Sequence, residues 1–433
     1  MSVRGSAPAA LISAPGSGQG KSMITAGLAR LHRNAGRRVR VFKFGPDYLD
    51  PMVLEQASGA PVYQLHPWMT GEAECRWRLA EAAAEADLVL VEGAMGLFDG
   101  DPATAELAAM TDLPAVPVID ASGMAQTFGA LALGMDRYRG DVRLSGVIAN
   151  RTGSPGHGRM LAASLPEGMP LIGAVPRHEA LSIPDRHLGL VQAGEIVDLD
   201  ERLDTIAGVL GEAGLDTLPA TVTLEGERPA PPPQRLEGVR IALARDDAFA
   251  FVYRANLELL AAMGAEVREF SPLTDTTLPE CDALWLPGGY PELHAARLAA
   301  NTAMREAVQA HHAAGRPILA ECGGLMYCAE QLVDADGKAH EMCALVPGTA
   351  AMAGRLKGLG VQALDLPGGE LRGHTFHHSA LDTPLEPATH TRRRGGSPAE
   401  AVYRSRGLTA SYFHAYFPTA PQAVADLFRG NGD

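Results

Sequence analysis

The chain has 433 residues, of which 46% are hydrophobic and 20% are charged, so it has the composition of folded globular domains and the length for two or three of them. Its net charge of −14 at pH 7 argues against a nucleic-acid-binding surface, which usually carries a basic patch. Five cysteines, an odd number without a Cys-x-x-Cys pair, argue against a disulfide framework and a zinc cluster. We recognise no signal peptide and no apolar run of about 20 residues, so we expect a cytoplasmic protein without a membrane partner.

Short apolar runs alternate with helical stretches in the first half of the chain. This alternation is typical of a parallel sheet with helices on both faces. Strands are predicted at residues 9–14, 39–44, 87–92, 116–120, 144–150 and 171–175, and helices at 21–33 and 76–85.

A glycine-rich loop joins the first predicted strand to the first predicted helix, the position that a P-loop occupies. Backbone N–H groups around Gly16, Gly18 and Gly20 would turn towards phosphate oxygens of ATP, assisted by the helix N-terminus. Lys21 would pair with the β- and γ-phosphates, and the Ser22 hydroxyl would help to hold Mg²⁺. A proline stands where the pattern has its first glycine, so the alternative is a turn that only caps the helix.

Acidic residues stand at or just past the ends of two predicted strands. Asp47 follows the second strand and Glu92 ends a buried one, while Asp99 lies in the next loop. Ligands of an open α/β sheet bind outside the carboxyl ends of its strands, and Mg²⁺ prefers oxygen ligands with one or two carboxylates. The sequence therefore predicts Asp47 and Glu92 as metal ligands beside the phosphate loop.

The composition of the chain changes near residue 223, where a polar, proline-rich stretch begins. Such a stretch is predicted to be a linker that neither pairs in a sheet nor continues a helix. We assign it to residues 223–237, between domains at 1–222 and 238–433. Beyond it, a second α/β domain is indicated by strands at 239–244, 267–270, 283–286 and 317–320 and a helix at 254–263.

A cysteine stands at a sharp strand-to-helix turn in the second half. Cys322, flanked by small residues, fits a nucleophile elbow, where the helix N-terminus is expected to favour the thiolate. The N–H groups of Gly323 and Gly289 would face a developing oxyanion, and His414 would serve as the base. The alternative is a buried core cysteine, which is our expectation for the other four.

Four motifs together resemble one family, the cobyrinic acid a,c-diamide synthases. They are residues 45–51, 92–100, 286–290 and 321–324, and the resemblance covers nearly the whole chain. It implies two doubly wound α/β domains, a P-loop NTPase-like domain similar to dethiobiotin synthetase and then a class I glutamine amidotransferase domain. It also implies ATP- and glutamine-dependent amidation of a tetrapyrrole, cobyrinic or hydrogenobyrinic acid, and a homodimer. The composition, rich in Ala, Arg and Gly, favours hydrogenobyrinic acid.

The resemblance assigns further roles by position. Tyr48 and Leu49 would lie near the macrocycle, and Asp99 would act at the activated carboxylate. Asn150, at the end of a predicted strand, would recognise adenine. Ammonia released by glutamine hydrolysis would displace phosphate from an acyl phosphate in the first domain.

The chain departs from the amidotransferase pattern near its predicted base. Tyr416 stands where such enzymes carry a carboxylate, so we expect Cys322 and His414 to work as a dyad. Histidines at 374–378 receive no catalytic role, and a metal cluster there is a weak alternative. Rival functions are cobyric acid synthase, nickel-sirohydrochlorin diamide synthase, a partitioning-type P-loop ATPase, and a regulator with an inactive amidotransferase fold.

Overall fold

The computed structural model describes residues 1–181, 185–186, 189–190 and 192–430. It divides into two compact units, Met1–Ala230 and Pro231–Asp433. The division falls within the segment that the sequence predicts to be a linker. None of the helices in these residues combines the length and the apolar character needed to cross a membrane.

The first unit is built on a mainly parallel sheet with helices between its strands. Its strands are β1 (Ser2–Ser13), β2 (Val39–Phe44), β3 (Tyr63–Leu65), β4 (Leu88–Glu92), β5 (Ala115–Asp120), β6 (Val147–Thr152), β7 (Leu171–Pro176), β8 (Asp185–Arg186), β9 (Gly189–Leu190) and β10 (Thr221–Glu227). Its helices are α1 (Lys21–Asn34), α2 (Leu49–Ser58), α3 (Glu72–Glu85), α4 (Thr104–Thr111), α5 (Thr127–Tyr138), α6 (Pro155–Ser164) and α7 (Leu199–Glu212), with a π-turn at Pro67–Gly71 and 3₁₀ turns at Glu179–Leu181 and Ala193–Glu195.

The strand order explains where the predicted site residues meet. The sheet runs β3-β2-β4-β1-β5-β6-β7, and its neighbours along this path are parallel. β4 is buried along its whole length, as expected for a central strand covered on both faces. Because parallel strands end at one edge, β1, β2 and β4 deliver the glycine loop, Asp47 and Glu92 to the same place.

The beginning of the predicted linker is instead a strand, which corrects the sequence prediction. β10 pairs antiparallel with the first part of β1, from Ser2 opposite Glu227 to Pro8 opposite Thr221. Val222 and Leu224 are buried while their neighbours are exposed, which is the period-two pattern of a half-buried strand. The prolines that prevent pairing begin only after this strand.

The second unit contains a ten-stranded sheet and a separate four-stranded sheet. Its strands are β11 (Arg240–Ala244), β12 (Glu266–Phe270), β13 (Ala283–Leu286), β14 (Ile318–Glu321), β15 (Ala329–Val333), β16 (Ala339–Glu341), β17 (Val346–Met352), β18 (Gly358–Leu366), β19 (Gly369–His377), β20 (Ser379–Asp382), β21 (Thr389–Arg393), β22 (Pro398–Ser405), β23 (Leu408–Ser411) and β24 (His414–Ala415). Its helices are α8 (Arg254–Ala262), α9 (Ala295–Ala300), α10 (Thr302–Ala313), α11 (Gly323–Cys328) and α12 (Pro421–Arg429), with 3₁₀ turns at Pro291–His294 and Phe417–Thr419.

The ten-stranded sheet is only half parallel. The strands β12-β11-β13-β14-β23 are parallel, as predicted for a doubly wound domain. The order continues through β22-β21-β18-β19-β24 with antiparallel pairing, which the sequence analysis did not predict. This extension places His414 opposite His374, near the end of the parallel strand that carries the cysteine turn.

Candidate active sites

The glycine loop before α1 has the backbone that a phosphate-binding loop requires. Gly18 and Gly20 have φ angles of 76° and 92°, in the left-handed region that favours glycine. A Cβ on Gly20 would also lie 2.4 Å from Nδ2 of Asn150, so this position has no room for a side chain. A Cβ on Gly16 or Gly18 would meet no atom within 4 Å, which leaves that part of the loop open to a ligand.

Asn150 supports the glycine loop from the end of β6. Its Nδ2 donates to the carbonyl of Gln19 at 2.9 Å, and its Oδ1 accepts from the N–H of Arg151 at 2.9 Å. The side chain is buried. The adenine-recognition role that the sequence predicts for Asn150 would have to coexist with this bracing role.

Lys21 ties the glycine loop to the loop after β4. Its Nζ donates to the carbonyl of Gly16 at 3.3 Å and to that of Met95 at 2.5 Å. Burial lowers its pKa, while the charge of Glu92 opposes that shift. The ammonium group therefore lies inside the loop that would surround phosphates.

A buried lysine that the sequence analysis did not select lies among the predicted metal ligands. Lys43 Nζ donates to Glu92 Oε1 at 2.9 Å, pairs closely with Asp50, and lies 3.4 Å from Asp47 Oδ2. Ser22 Oγ donates to Glu92 Oε1 at 2.6 Å and also lies 3.1 Å from Asp50 Oδ2, an alternative acceptor for the same proton. Asp50 is therefore a missed member of this site, since it contacts both Lys43 and Ser22.

In this cluster, burial disfavours the charged form of each side chain, whereas the attraction between Lys43 and the carboxylates favours it. Burial raises the pKa of Glu92 to about 7 and that of Asp47 to about 6. Burial would also raise the pKa of Asp50 and lower that of Lys43, but their attraction reverses both shifts, so Lys43 stays charged and Asp50 ionised. A usable sequence signal for Asp50 is its place three residues after Asp47, at the start of α2.

The oxygen groups of this cluster fit a magnesium ion that binds together with nucleotide phosphates. Glu92 Oε2 is buried without a hydrogen-bond partner, next to the Ser22 hydroxyl. Within the described residues, no group of three or more His, Cys, Asp and Glu side chains is arranged as a metal cage. That is consistent with Mg²⁺, which takes few protein ligands and completes its shell with water and phosphate. It gives no support to a metal cluster at the histidines of 374–378.

The predicted substrate residues lie around the start of α2 and the loop after β4. Asp47 Oδ1 accepts from the N–H groups of Leu49 at 2.9 Å and Asp50 at 3.2 Å, which caps α2. Tyr48 is half-buried at the N-cap position. Asp99 Oδ2 accepts from the N–H of Gly96 at 3.0 Å, and its charge acts on Lys21.

In the second unit, Cys322 lies at a strained turn between β14 and α11. Its φ of 46° and ψ of −101° are unusual for a residue with a side chain, as a nucleophile elbow requires. Its N–H donates to the carbonyl of Ser411 at 2.8 Å, which fixes the turn to β23. A Cβ on Gly324 would lie 2.0 Å from the Leu286 carbonyl oxygen, so the turn depends on that glycine.

One glycine pair lies against both His414 and the cysteine turn. A Cβ on Gly288 would lie 2.3 Å from Cε1 of His414, and a Cβ on Gly323 would lie 3.0 Å from the backbone nitrogen of Gly289. The Gly323 N–H also forms a hydrogen bond with Cys322. The predicted oxyanion donors and the predicted base thus converge on the elbow through the loop after β13.

The ionisation of Cys322 and His414 differs from the sequence prediction. Burial, followed by the charge of Glu292, raises the pKa of the Cys322 thiol, although the Gly323 N–H opposes the shift. Burial also lowers the pKa of His414 to about 3. The expectation of a resting thiolate is therefore wrong, because burial disfavours the charged form of the thiol more than the Gly323 N–H favours it. The resting pair is a neutral thiol and a neutral imidazole.

Ring stacking fixes the side chain of His414, and a buried glutamate fixes the backbone next to it. The His414 ring stacks on His374 at 4.9 Å between centroids, and Nδ1 of His374 lies 2.9 Å from the Tyr253 hydroxyl. Glu321 accepts from the N–H of Ala415 at 2.7 Å through one oxygen and from Trp285 Nε1 at 2.7 Å through the other.

The sequence analysis missed Glu321 and gave His374 no role. A usable signal for Glu321 was a charged residue at the end of an apolar strand, directly before the nucleophile. No comparable signal marked His374, because its contact with His414 arises from the antiparallel strand pairing.

Both halves of the chain match families of known protein domains. Residues 10–191 match a family of CobQ/CobB/MinD/ParA nucleotide-binding domains, and residues 240–421 match CobB/CobQ-like glutamine amidotransferase domains. The chain is 56% identical to hydrogenobyrinate a,c-diamide synthase of Pseudomonas aeruginosa over 97% of each chain. It is 55% identical to hydrogenobyrinate a,c-diamide synthase of Stutzerimonas stutzeri over 98% of each, and 51% identical to cobyrinate a,c-diamide synthase of Herminiimonas arsenicoxydans over 96% of each.

The chain belongs to the a,c-diamide synthase family. It is a glutamine-dependent amidating ligase with a nucleotide-binding half and a glutamine amidotransferase half, which confirms the predicted fold class and enzyme class. A partitioning-type ATPase would account only for the first matched domain. The roles of the individual site residues remain predictions, now supported by their geometry.

Proposed function

We propose that this chain amidates the a and c carboxylates of hydrogenobyrinic acid in cobalamin biosynthesis, using ATP and glutamine. The observation that carries the proposal is the near-complete alignment with hydrogenobyrinate a,c-diamide synthases at 56% and 55% identity. The cobyrinate enzyme at 51% identity favours cobyrinic acid as the second candidate substrate. The two macrocycles differ in their central cobalt.

The proposed glutaminase reaction uses the neutral pair at the elbow. His414 takes the thiol proton as the Cys322 sulfur attacks the side-chain carbonyl carbon of glutamine. The N–H groups of Gly323 and Gly289 stabilise the oxyanion, and the proton on His414 passes to the departing ammonia. Water, deprotonated by His414, then cleaves the thioester to give glutamate and restore the thiol.

The proposed synthetase reaction takes place at the edge of the first sheet. A substrate carboxylate oxygen attacks the γ-phosphorus of ATP, ADP leaves, and Lys21 neutralises charge on the transferred group. Mg²⁺, held by Ser22, Asp47 and Glu92, would supply further charge neutralisation when bound. Ammonia then attacks the acyl carbon and phosphate departs. Asp99, Tyr48 and Leu49 would position the activated side chain, and Asn150 would face adenine.

We also propose the cytoplasm as the compartment and a homodimer as the assembly. The odd number of cysteines without a Cys-x-x-Cys pair supports a reducing compartment. The homodimer is an expectation from the family, which a mass measurement in solution tests directly.

The decisive experiment separates the two half-reactions. Cys322→Ala should lose glutamine hydrolysis and glutamine-driven synthesis, yet still form the diamide from ATP, Mg²⁺ and free ammonia. Loss of ammonia-driven synthesis in a folded variant, or retention of glutamine hydrolysis, would contradict the two-site function. Cys343→Ala, at another buried cysteine, provides the matched control. Comparing kcat/KM for the two macrocycles with the wild-type enzyme decides between the two substrates.

A further inference from the structure

Glu292 is a buried carboxylate beside the cysteine turn that no step described so far uses. It lies in the 3₁₀ turn Pro291–His294, which follows the glycine pair at the elbow. The preceding residue, Pro291, touches the elbow, since a Cβ on Gly323 would lie 2.9 Å from its Cδ. Glu292 is only 9% exposed.

The charge of Glu292 has no cationic partner among the described residues. Burial raises its pKa to about 7, and the only opposing influence is its own backbone N–H. Its charge raises the pKa of the Cys322 thiol more than that of Glu321 or Glu400 does, in keeping with the contact of the preceding residue, Pro291, with the elbow. The ionised form of a lone buried carboxylate is costly, so a cation that enters the site would stabilise it.

Glutamine itself supplies such a cation. When its side-chain amide carbon is at the Cys322 sulfur, its α-ammonium group is the one positive charge that the substrate brings into the elbow. We propose that Glu292 binds the α-ammonium group of glutamine and thereby selects it as the nitrogen donor. This inference rests on the proposed glutaminase function of Cys322.

The pairing has a consequence for the nucleophile. Without glutamine, the negative charge of Glu292 disfavours ionisation of the nearby thiol. Bound glutamine neutralises that charge with its ammonium group, so the thiol loses its proton more easily when substrate is present. The arrangement keeps the sulfur less reactive towards other electrophiles in the resting enzyme.

The test compares glutamine with glutaramate, the analogue that has the same amide and carboxylate but no α-amino group. The wild type should prefer glutamine by about 100-fold in kcat/KM, the scale of a truncated buried charge pair. Glu292→Gln should lose that preference, because its activity on glutamine falls while its activity on glutaramate is retained or rises, since the charge that disfavours the thiolate is removed. Glu306→Gln, at an exposed glutamate of the same unit, should keep the full preference.

A preference that survives in folded Glu292→Gln, or a wild type that uses both amides equally, would overturn the inference. In either case Cys322-dependent glutamine hydrolysis would persist, so this failure is distinct from failure of the proposed function, in which Cys322→Ala keeps hydrolysing glutamine.

A second measurement needs no turnover. Alkylation of Cys322 by iodoacetamide at neutral pH, followed by peptide mass spectrometry, should be severalfold faster in Glu292→Gln than in the wild type. An unchanged rate would show that the carboxylate does not act on the sulfur and would overturn the proposed placement.

Discussion

At the scale of single residues, Lys43 carries the charge that allows several carboxylates to share one buried site. Its side chain is 5% exposed and faces Glu92, Asp50 and Asp47. The predicted metal ligands are recognisable in the sequence because they stand at strand ends. The lysine is not, because its side-chain direction depends on how β2 and β4 pair.

Replacing this lysine should destabilise the first unit strongly. Lys43→Met leaves Asp50 and Glu92 buried without their counter-charge, which typically costs about 3–5 kcal/mol. The measurement is the unfolding free energy from denaturant or thermal unfolding. Lys338→Met, at an exposed lysine, should stay within about 0.5 kcal/mol of the wild type.

A double variant checks the reason for that loss. Adding Asp50→Asn to Lys43→Met should recover part of the stability, since one of the uncompensated charges disappears. Additive losses would mean that the lysine contributes through packing and not through its charge.

At the scale of elements, the loop after β13 connects the oxyanion donors with the base. Both glycines of that loop, Gly288 and Gly289, lie against backbone or ring atoms that leave no space for a Cβ. The sequence predicts this loop as a source of oxyanion donors because it has two glycines after a strand. That Gly288 also lies against His414 depends on the two-residue strand β24, which no local pattern indicates.

We expect Gly288→Ala to displace the His414 ring and to lower kcat for glutamine hydrolysis by about 100-fold, the usual effect of misplacing a catalytic group by about 1 Å. The new Cβ would otherwise lie 2.3 Å from Cε1 of His414. Steady-state kinetics and a thermal melt together measure the effect. Gly354→Ala is the matched control, because its Cβ would meet nothing within 4 Å. Unchanged kcat in Gly288→Ala would mean that the ring position does not limit the reaction.

At the scale of the whole molecule, the second unit buries two acids that lower its stability as pH rises from about 4.5 to about 7. The pKa values of Glu292 and Glu321 are raised by burial from 4.5 to about 7. A carboxyl whose pKa is higher in the folded state stabilises the fold below its unfolded pKa, and that contribution is lost as pH rises through about 7.

The pH dependence of stability should reveal these groups. Without glutamine, Glu292→Gln should gain stability relative to the wild type as pH rises from about 4.5 to 7, by up to about 3 kcal/mol. Thermal unfolding across this pH range measures the difference. Glu306→Gln should run parallel to the wild type, and a parallel curve for Glu292→Gln would contradict the raised pKa.

The sequence by itself determined the fold class, the P-loop and elbow positions, and the family, because glycine loops and strand-end residues are local patterns. Tertiary structure decided what surrounds those residues: Lys43 and Asp50 at the metal ligands, His374 and Glu321 at His414, and Glu292 at Cys322. Lys43 and Asp50 reach Glu92, and His374 and Glu321 reach His414, from segments far apart in the chain, so strand pairing and loop packing decide these contacts. Burial, which only the fold produces, also made the resting nucleophile a neutral thiol instead of the predicted thiolate.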